Sequence, residues 1–108
     1  MIIQKTVSEQ TKFDLLDDLI RYNSFSTLRL ILFDKSQFNF FNYKDVPNLI
    51  GKIIFDSCKL NVALNWICAE MKARTKLFLE HHVKNIFEYN EISKSEGYSY
   101  LPIYIIII

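Results

Sequence analysis

Between Ser24 and Arg74 the apolar residues recur at spacings of three and four, the period of a helix that turns one face inward. That rhythm constrains the chain more than any motif does. It runs through Leu28, Tyr43, Val46-Pro47, Lys52-Ile53-Ile54 and Leu64-Trp66, and no catalytic constellation is threaded through it. With 108 residues, half of them hydrophobic, one modest core can form, which argues for a single domain.

Thr6 and Thr11 each stand three residues before an acid, Glu9 and Asp14, the spacing of a capping box, so a first helix starts there. Phe13, Leu16 and Ile20, with Leu15 and Leu19 beside them, form its buried stripe. Ser24 or Ser26 can cap a second helix over residues 27–34. The run Leu28 to Phe33 is also compatible with a strand, and the adjoining Leu, Arg and Thr decide for helix. Pro47 suits a first helical turn and Asp45 suits its cap, which predicts a third helix carrying Leu49, Ile50, Ile53, Ile54 and Cys58. Asn61 caps a fourth, with Leu64, Ile67, Cys68 and Met71 on one face, and the rhythm continues through Leu79, Val83, Ile86 and Phe87 after a break near Arg74-Thr75. The predicted fold is all-α, a compact bundle of about five helices over residues 8–90. Residues 91–108 follow as a polar loop and a short apolar C-terminal tail.

That tail ends in four isoleucines, Ile105 to Ile108, an aggregation hazard if exposed. It is too short to span a bilayer, which takes about twenty apolar residues. It reads as an incomplete C-terminus, with a final strand or a tail tucked against the bundle as alternatives. No membrane role follows unless the chain continues past Ile108.

Thirteen basic and twelve acidic side chains leave a net charge of +1, too little to gather nucleic acid around the protein. Phe38, Phe40, Phe41 and Tyr43 between Lys35 and Lys44 either cap the core or stack bases, and the missing surplus of positive charge favours the core. The helical stretch carrying Lys72, Arg74, Lys76, His81, His82 and Lys84 reads as a solvated face balanced by Glu70, Glu80 and Glu88. Cys58 and Cys68 read as reduced, buried thiols of a cytoplasmic protein. His81 and His82 are neighbours pointing about 100° apart on a helix, which weighs against a metal. Only two glycines, Gly51 and Gly97, are present, so no loop of closely spaced glycines can cradle phosphates. The residues therefore predict no enzyme, no catalytic residue and no cofactor.

The succession Asp14-Leu15-Leu16-Asp17-Asp18-Leu19, Ser24-Phe25-Ser26-Thr27-Leu28-Arg29-Leu30, Phe33-Asp34, Asn42-Tyr43-Lys44-Asp45-Val46-Pro47, Lys52-Ile53-Ile54 and Leu60-Asn61-Val62-Ala63-Leu64 resembles the bacterial effector-associated, death-like domains. The resemblance covers about residues 11–74. It implies a death-fold adaptor that recruits a protein partner with a similar helical domain, another protein or a second copy of itself, in bacterial conflict or antiphage signalling. Asp17, Asp18 and Asp45 against Lys52, Lys59 and Lys72 are then the candidate interface pairs. A small inhibitor or immunity protein directed at a toxin or nuclease is the competing expectation.

Overall fold

The computed structural model describes residues 2–3, 9–36 and 39–108. It divides into two compact units, Met1–Asp56 with Pro102–Ile108, and Ser57–Leu101. Thr6 and Phe38, and the side chains of Glu9 and Thr11, on which parts of the sequence reading fell, lie outside what is described.

The first unit is built on a parallel sheet. Its strands are β1 (Ile2–Ile3), β2 (Leu28–Leu32) and β3 (Ile103–Ile107), in the order β1-β3-β2. Leu28 lies opposite Ile103 and Leu32 opposite Ile107, while Ile2 lies opposite Ile106. The isoleucine run is therefore the central strand, neither a tail nor a membrane segment. A parallel strand covered on both faces needs apolar residues at consecutive positions, because alternate side chains point to opposite faces and both faces are dry. Leu28, Leu30 and Leu32 belong to the main core with Ile105 and Ile107, and Ile31 and Ile106 on the opposite face are buried as well.

The predicted third helix does not form. Residues 48–54 instead pair in parallel with the free side of β2: the Leu30 amide donates to Asn48 O and the Ile50 amide to Leu30 O, and the Ile54 amide donates to Leu32 O and the Asp34 amide to Ile54 O, all at 2.8 Å. The bridges Leu30–Leu49 and Phe33–Ile54 are three residues apart on β2 and five apart on this segment. Its two extra residues bulge out where Gly51 adopts φ 64°, a left-handed turn that an L side chain resists and a helix cannot contain. Pro47, lacking an amide hydrogen, stands just before the first ladder bond, where it costs none.

Helix α1 (Glu9–Tyr22) supplies Leu16 to the core, with Phe13, Leu19 and Ile20 packed partly against it. This is the stripe read from the sequence except for Leu15, which is exposed. The second unit is a pair of helices, α2 (Ser57–Glu80) and α3 (Ile86–Glu96). Helix α2 runs unbroken through Arg74-Thr75, where a break was expected, and Asn61 lies inside it rather than capping it. It ends when the Val83 amide donates to Phe78 O at 3.0 Å and the His82 amide to Leu79 O at 3.3 Å, with His82 at φ 56°. That pair of bonds closes a Schellman motif on a residue that is not glycine. Asn85 caps α3 by accepting the Glu88 amide, and the Glu88 carboxylate accepts the Lys84 amide. The helix continues to Gly97, φ 78°, through most of the stretch read as a loop.

Cys58 and Cys68 are exposed, not buried. Helix α2 is covered on one side only, where Leu60, Ala63, Leu64, Ile67, Leu77 and Phe78 are half-buried around buried Arg74, and both thiols fall outside that side. The described residues thus form three α-helices and a three-stranded parallel sheet, an α/β arrangement and not an all-α five-helix bundle. The three-and-four rhythm misled because uninterrupted apolar runs satisfy a helical template and a doubly covered strand equally well.

Candidate functional site at the carboxyl end of the sheet

Open parallel sheets take their ligands beyond the carboxyl ends of their strands. Here the ends of β2 and β3 are joined by the Phe33 amide, which donates to Ile107 O at 2.9 Å. The next residue, Asp34, is 3% exposed. Its amide is held by Ile54 O, one carboxylate oxygen accepts the Ser36 hydroxyl at 2.7 Å, and the other accepts the Phe40 amide at 3.0 Å. A buried carboxylate is costly unless its oxygens are bonded, and these bonds fix the turn that follows β2. Lys35, inside that turn, is exposed.

The turn delivers Phe40 into the core. Its ring meets Phe13 edge-on at 5.9 Å and Tyr43 at 6.3 Å, while Phe13 and Tyr43 stack at 6.2 Å with an interplanar angle of 3°. Phe40 and Tyr43 therefore cap the core, whereas Phe41 stays exposed with Lys44 Nζ 4.4 Å from its centroid. The Tyr43 hydroxyl donates to Asp17 Oδ1 at 2.7 Å. Desolvation first, then that hydrogen bond and the charges of Asp17 and Asp14, push the phenol up to about 12.

At the amino end of β2, Asn48 is buried and its side-chain amide donates to Leu28 O at 3.0 Å and Asn23 O at 3.2 Å. Arg29 donates to Phe25 O at 3.0 Å and lies 4.2 Å over the Phe25 ring. In the second unit Asn90 clamps the chain before β3, donating to Leu101 O and accepting the Leu101 amide. His81 is half-buried, with its ring edge against Tyr98 at 4.7 Å and Tyr89 at 5.5 Å, not on a solvent face. Among the described residues no group of three or more His, Cys, Asp or Glu side chains could hold a metal ion.

The six candidate interface residues are dispersed. Asp17 and Asp18 on α1, Asp45 after the short turn Phe41–Tyr43, and Lys52 in the bulge are exposed in the first unit. Lys59 and Lys72 are exposed on α2 in the second. Asp17 among them accepts the Tyr43 hydroxyl. Sequence reasoning passed over Asp34, Asn48 and Asn90. Asp34 had a legible signal, an acid directly after an apolar run and two residues before a serine, which is turn chemistry. Asn48 and Asn90 had none, because their partners are main-chain groups far along the chain.

Comparison with known proteins settles the lineage. The model of the FtsK/SpoIIIE family matches residues 14–107. DNA translocase FtsK of Campylobacter jejuni is 38% identical over 94 residues, 87% of this chain and 10% of that protein. FtsK of Helicobacter pylori is 36% identical over 90 residues, 83% of this chain and 11% of that one. FtsK of Clostridium tetani is 35% identical over 95 residues, 87% and 13% respectively. The chain thus spans about a tenth of the length of these relatives.

These matches overturn the death-like resemblance and what hung on it. The effector-associated adaptor in bacterial immunity and the inhibitor of a toxin or nuclease both fall, since the relatives are named DNA translocases. The expectations of a non-enzymatic chain and of protein-only partners without nucleic acid fall on the same finding. The physical cause of the error is visible: the Tyr-x-x-Val-Pro turn and spaced leucines that carried the resemblance here lead into a sheet. No helix among the described residues is long and apolar enough to cross a membrane. The match of the family model over residues 14–107, which contains the strand formed by the isoleucine run, makes this chain a member of the FtsK/SpoIIIE family.

Proposed function

We propose that this chain is a section of the motor core of a DNA translocase, supplying part of the parallel sheet and the helices inserted between β2 and β3. The observation that carries this reading is the family match over residues 14–107, which takes in α1 from Asp14 on, both long strands and everything between them. Moving along DNA against resistance consumes free energy, and such motors draw it from nucleoside triphosphates held by a glycine-rich phosphate loop. With only Gly51 and Gly97, each occupied in a left-handed turn, the chain holds no such loop. Its share is the scaffold and the residues at the carboxyl end of the sheet, and the phosphate cradle belongs to other residues of the working motor. We put this segment in the cytoplasm, where bacterial DNA lies.

A transplant tests this. The stretch of Campylobacter jejuni FtsK that aligns with this chain would be replaced by residues 14–107, and DNA-stimulated ATP hydrolysis and displacement of a DNA-bound third strand would be measured. Hydrolysis and displacement within about tenfold of the parent, a loss of at most about 1.4 kcal/mol in the barrier, is the expected result. A chimera that folds and assembles like its parent yet shows no DNA-stimulated hydrolysis would contradict the proposal.

A further inference from the structure

The turn after β2 is built more firmly than a connection requires. Asp34 gives up nearly all its exposure, yet any small turn residue could link β2 to the next segment. Its amide is tied to Ile54, and its two carboxylate oxygens are tied to Ser36 and Phe40. What this rigidity holds in place is the main chain at Lys35, an exposed cation one residue past that anchor on the loop that leaves the carboxyl end of β2. No ion pair of Lys35 occurs among the described residues. Lys35 thus offers an exposed charge on the kind of loop with which open parallel sheets bind ligands.

We propose that Lys35 contacts a phosphate group and that Asp34 is the positioning residue that fixes the turn carrying it. The inference rests on the reading of this segment as part of a translocase core. A lysine ammonium binds phosphate as a point charge and gains from being held near its target. The phosphate comes from one of two sources with the same chemistry, a nucleoside triphosphate or the DNA backbone.

The active chimera described above separates the sources. The KM for ATP at saturating DNA, and the DNA concentration for half-maximal hydrolysis at saturating ATP, would be measured for Lys35→Ala, Lys35→Arg, Asp34→Asn and Ser36→Ala. Lys35→Ala is expected to raise one of the two constants about threefold or more, with Lys35→Arg restoring most of it. A rise in the ATP constant assigns the nucleotide. A rise in the DNA constant, with a shallower dependence on salt, assigns the backbone. Asp34→Asn is expected to raise the same constant, and Ser36→Ala, which removes one bond only, to do so less. If Asp34→Asn does not fold, the Ser36→Ala shift decides the positioning role. Both constants unchanged in Lys35→Ala would overturn the phosphate contact and leave the translocase reading standing. Lowered thermal stability with unchanged constants in the Asp34 and Ser36 variants would overturn the positioning role. A chimera inactive before any substitution would overturn both readings together.

Discussion

The two units of this chain use apolar residues in opposite ways. In the first, β2 and β3 bury residues of both faces, and Leu16, Leu30, Leu32 and Ile107 have lost all contact with water. In the second, α2 is 24 residues long, yet only Arg74 is fully enclosed, and Val62 and Leu79 remain 70% exposed. An apolar residue in the sheet is therefore a commitment of the fold, whereas one on α2 is mostly a surface feature. Hydrophobicity alone does not rank the two, because burial depends on how many faces of an element are covered.

The sharpest way to break this contrast is to truncate matched residues in each unit. Leu30→Ala or Ile107→Ala is expected to cost about 2–5 kcal/mol in urea unfolding, from lost transfer energy and the cavity left behind. Val62→Ala should change stability by no more than about 0.5 kcal/mol. Equal losses in the two units would contradict the contrast. Removing the polar clamps comes next in size: Asn48→Ala strips two carbonyls of their donor, and Asn90→Ala strips both main-chain groups of Leu101. Each should cost about 1–3 kcal/mol by the same measurement.

A smaller effect reads the contact between α1 and the turn at Tyr43. The folded state holds the Tyr43 proton up to about 12, above the ordinary tyrosine value near 10. The stability this hydroxyl contributes is therefore whole below pH 10 and disappears as pH rises through about 12. Solvent around this partly exposed ring reduces it to roughly 1 kcal/mol, the worth of an ordinary hydrogen bond. Tyr43→Phe should lower stability at neutral pH by that amount and flatten its fall between pH 10 and 12, followed by denaturation at fixed pH. The smallest expected change is a gain. His82 closes the end of α2 at φ 56°, so His82→Gly should stabilise the second unit by roughly 0.5–1 kcal/mol, seen as a higher melting temperature.

How much of this was legible in the sequence differs between the units for a physical reason. Helix α1 could be read because its polar and apolar residues separate into faces, and Leu16 with Phe13, Leu19 and Ile20 marks the inward one. Helix α2 could be read as helical, but not how little of it is covered, since Cys58 and Cys68 fall in a helical rhythm without being buried. The two long strands were legible only as alternatives. Leu28 to Leu32 and Ile103 to Ile107 have no alternation to betray a strand, because both faces of the sheet are buried. Gly51, which falls within the predicted third helix, marked the bulge in the segment paired with β2. At the site, Asp34 stood where turn chemistry could have been noticed, and Lys35 beside it was weighed only as a neighbour of stacking aromatics.

Hydrogen exchange along the chain tests the central claim most directly, that the C-terminal isoleucine run is the middle strand of a parallel sheet and the most firmly held part of the molecule. The amides of Ile105, Ile106 and Ile107, with those of Leu30 and Leu32, should exchange slowest, opening only with global unfolding, while residues 57–72 of α2 exchange at lower cost. Exchange of Ile103–Ile107 as fast as that of the first turns of α2 would contradict the account.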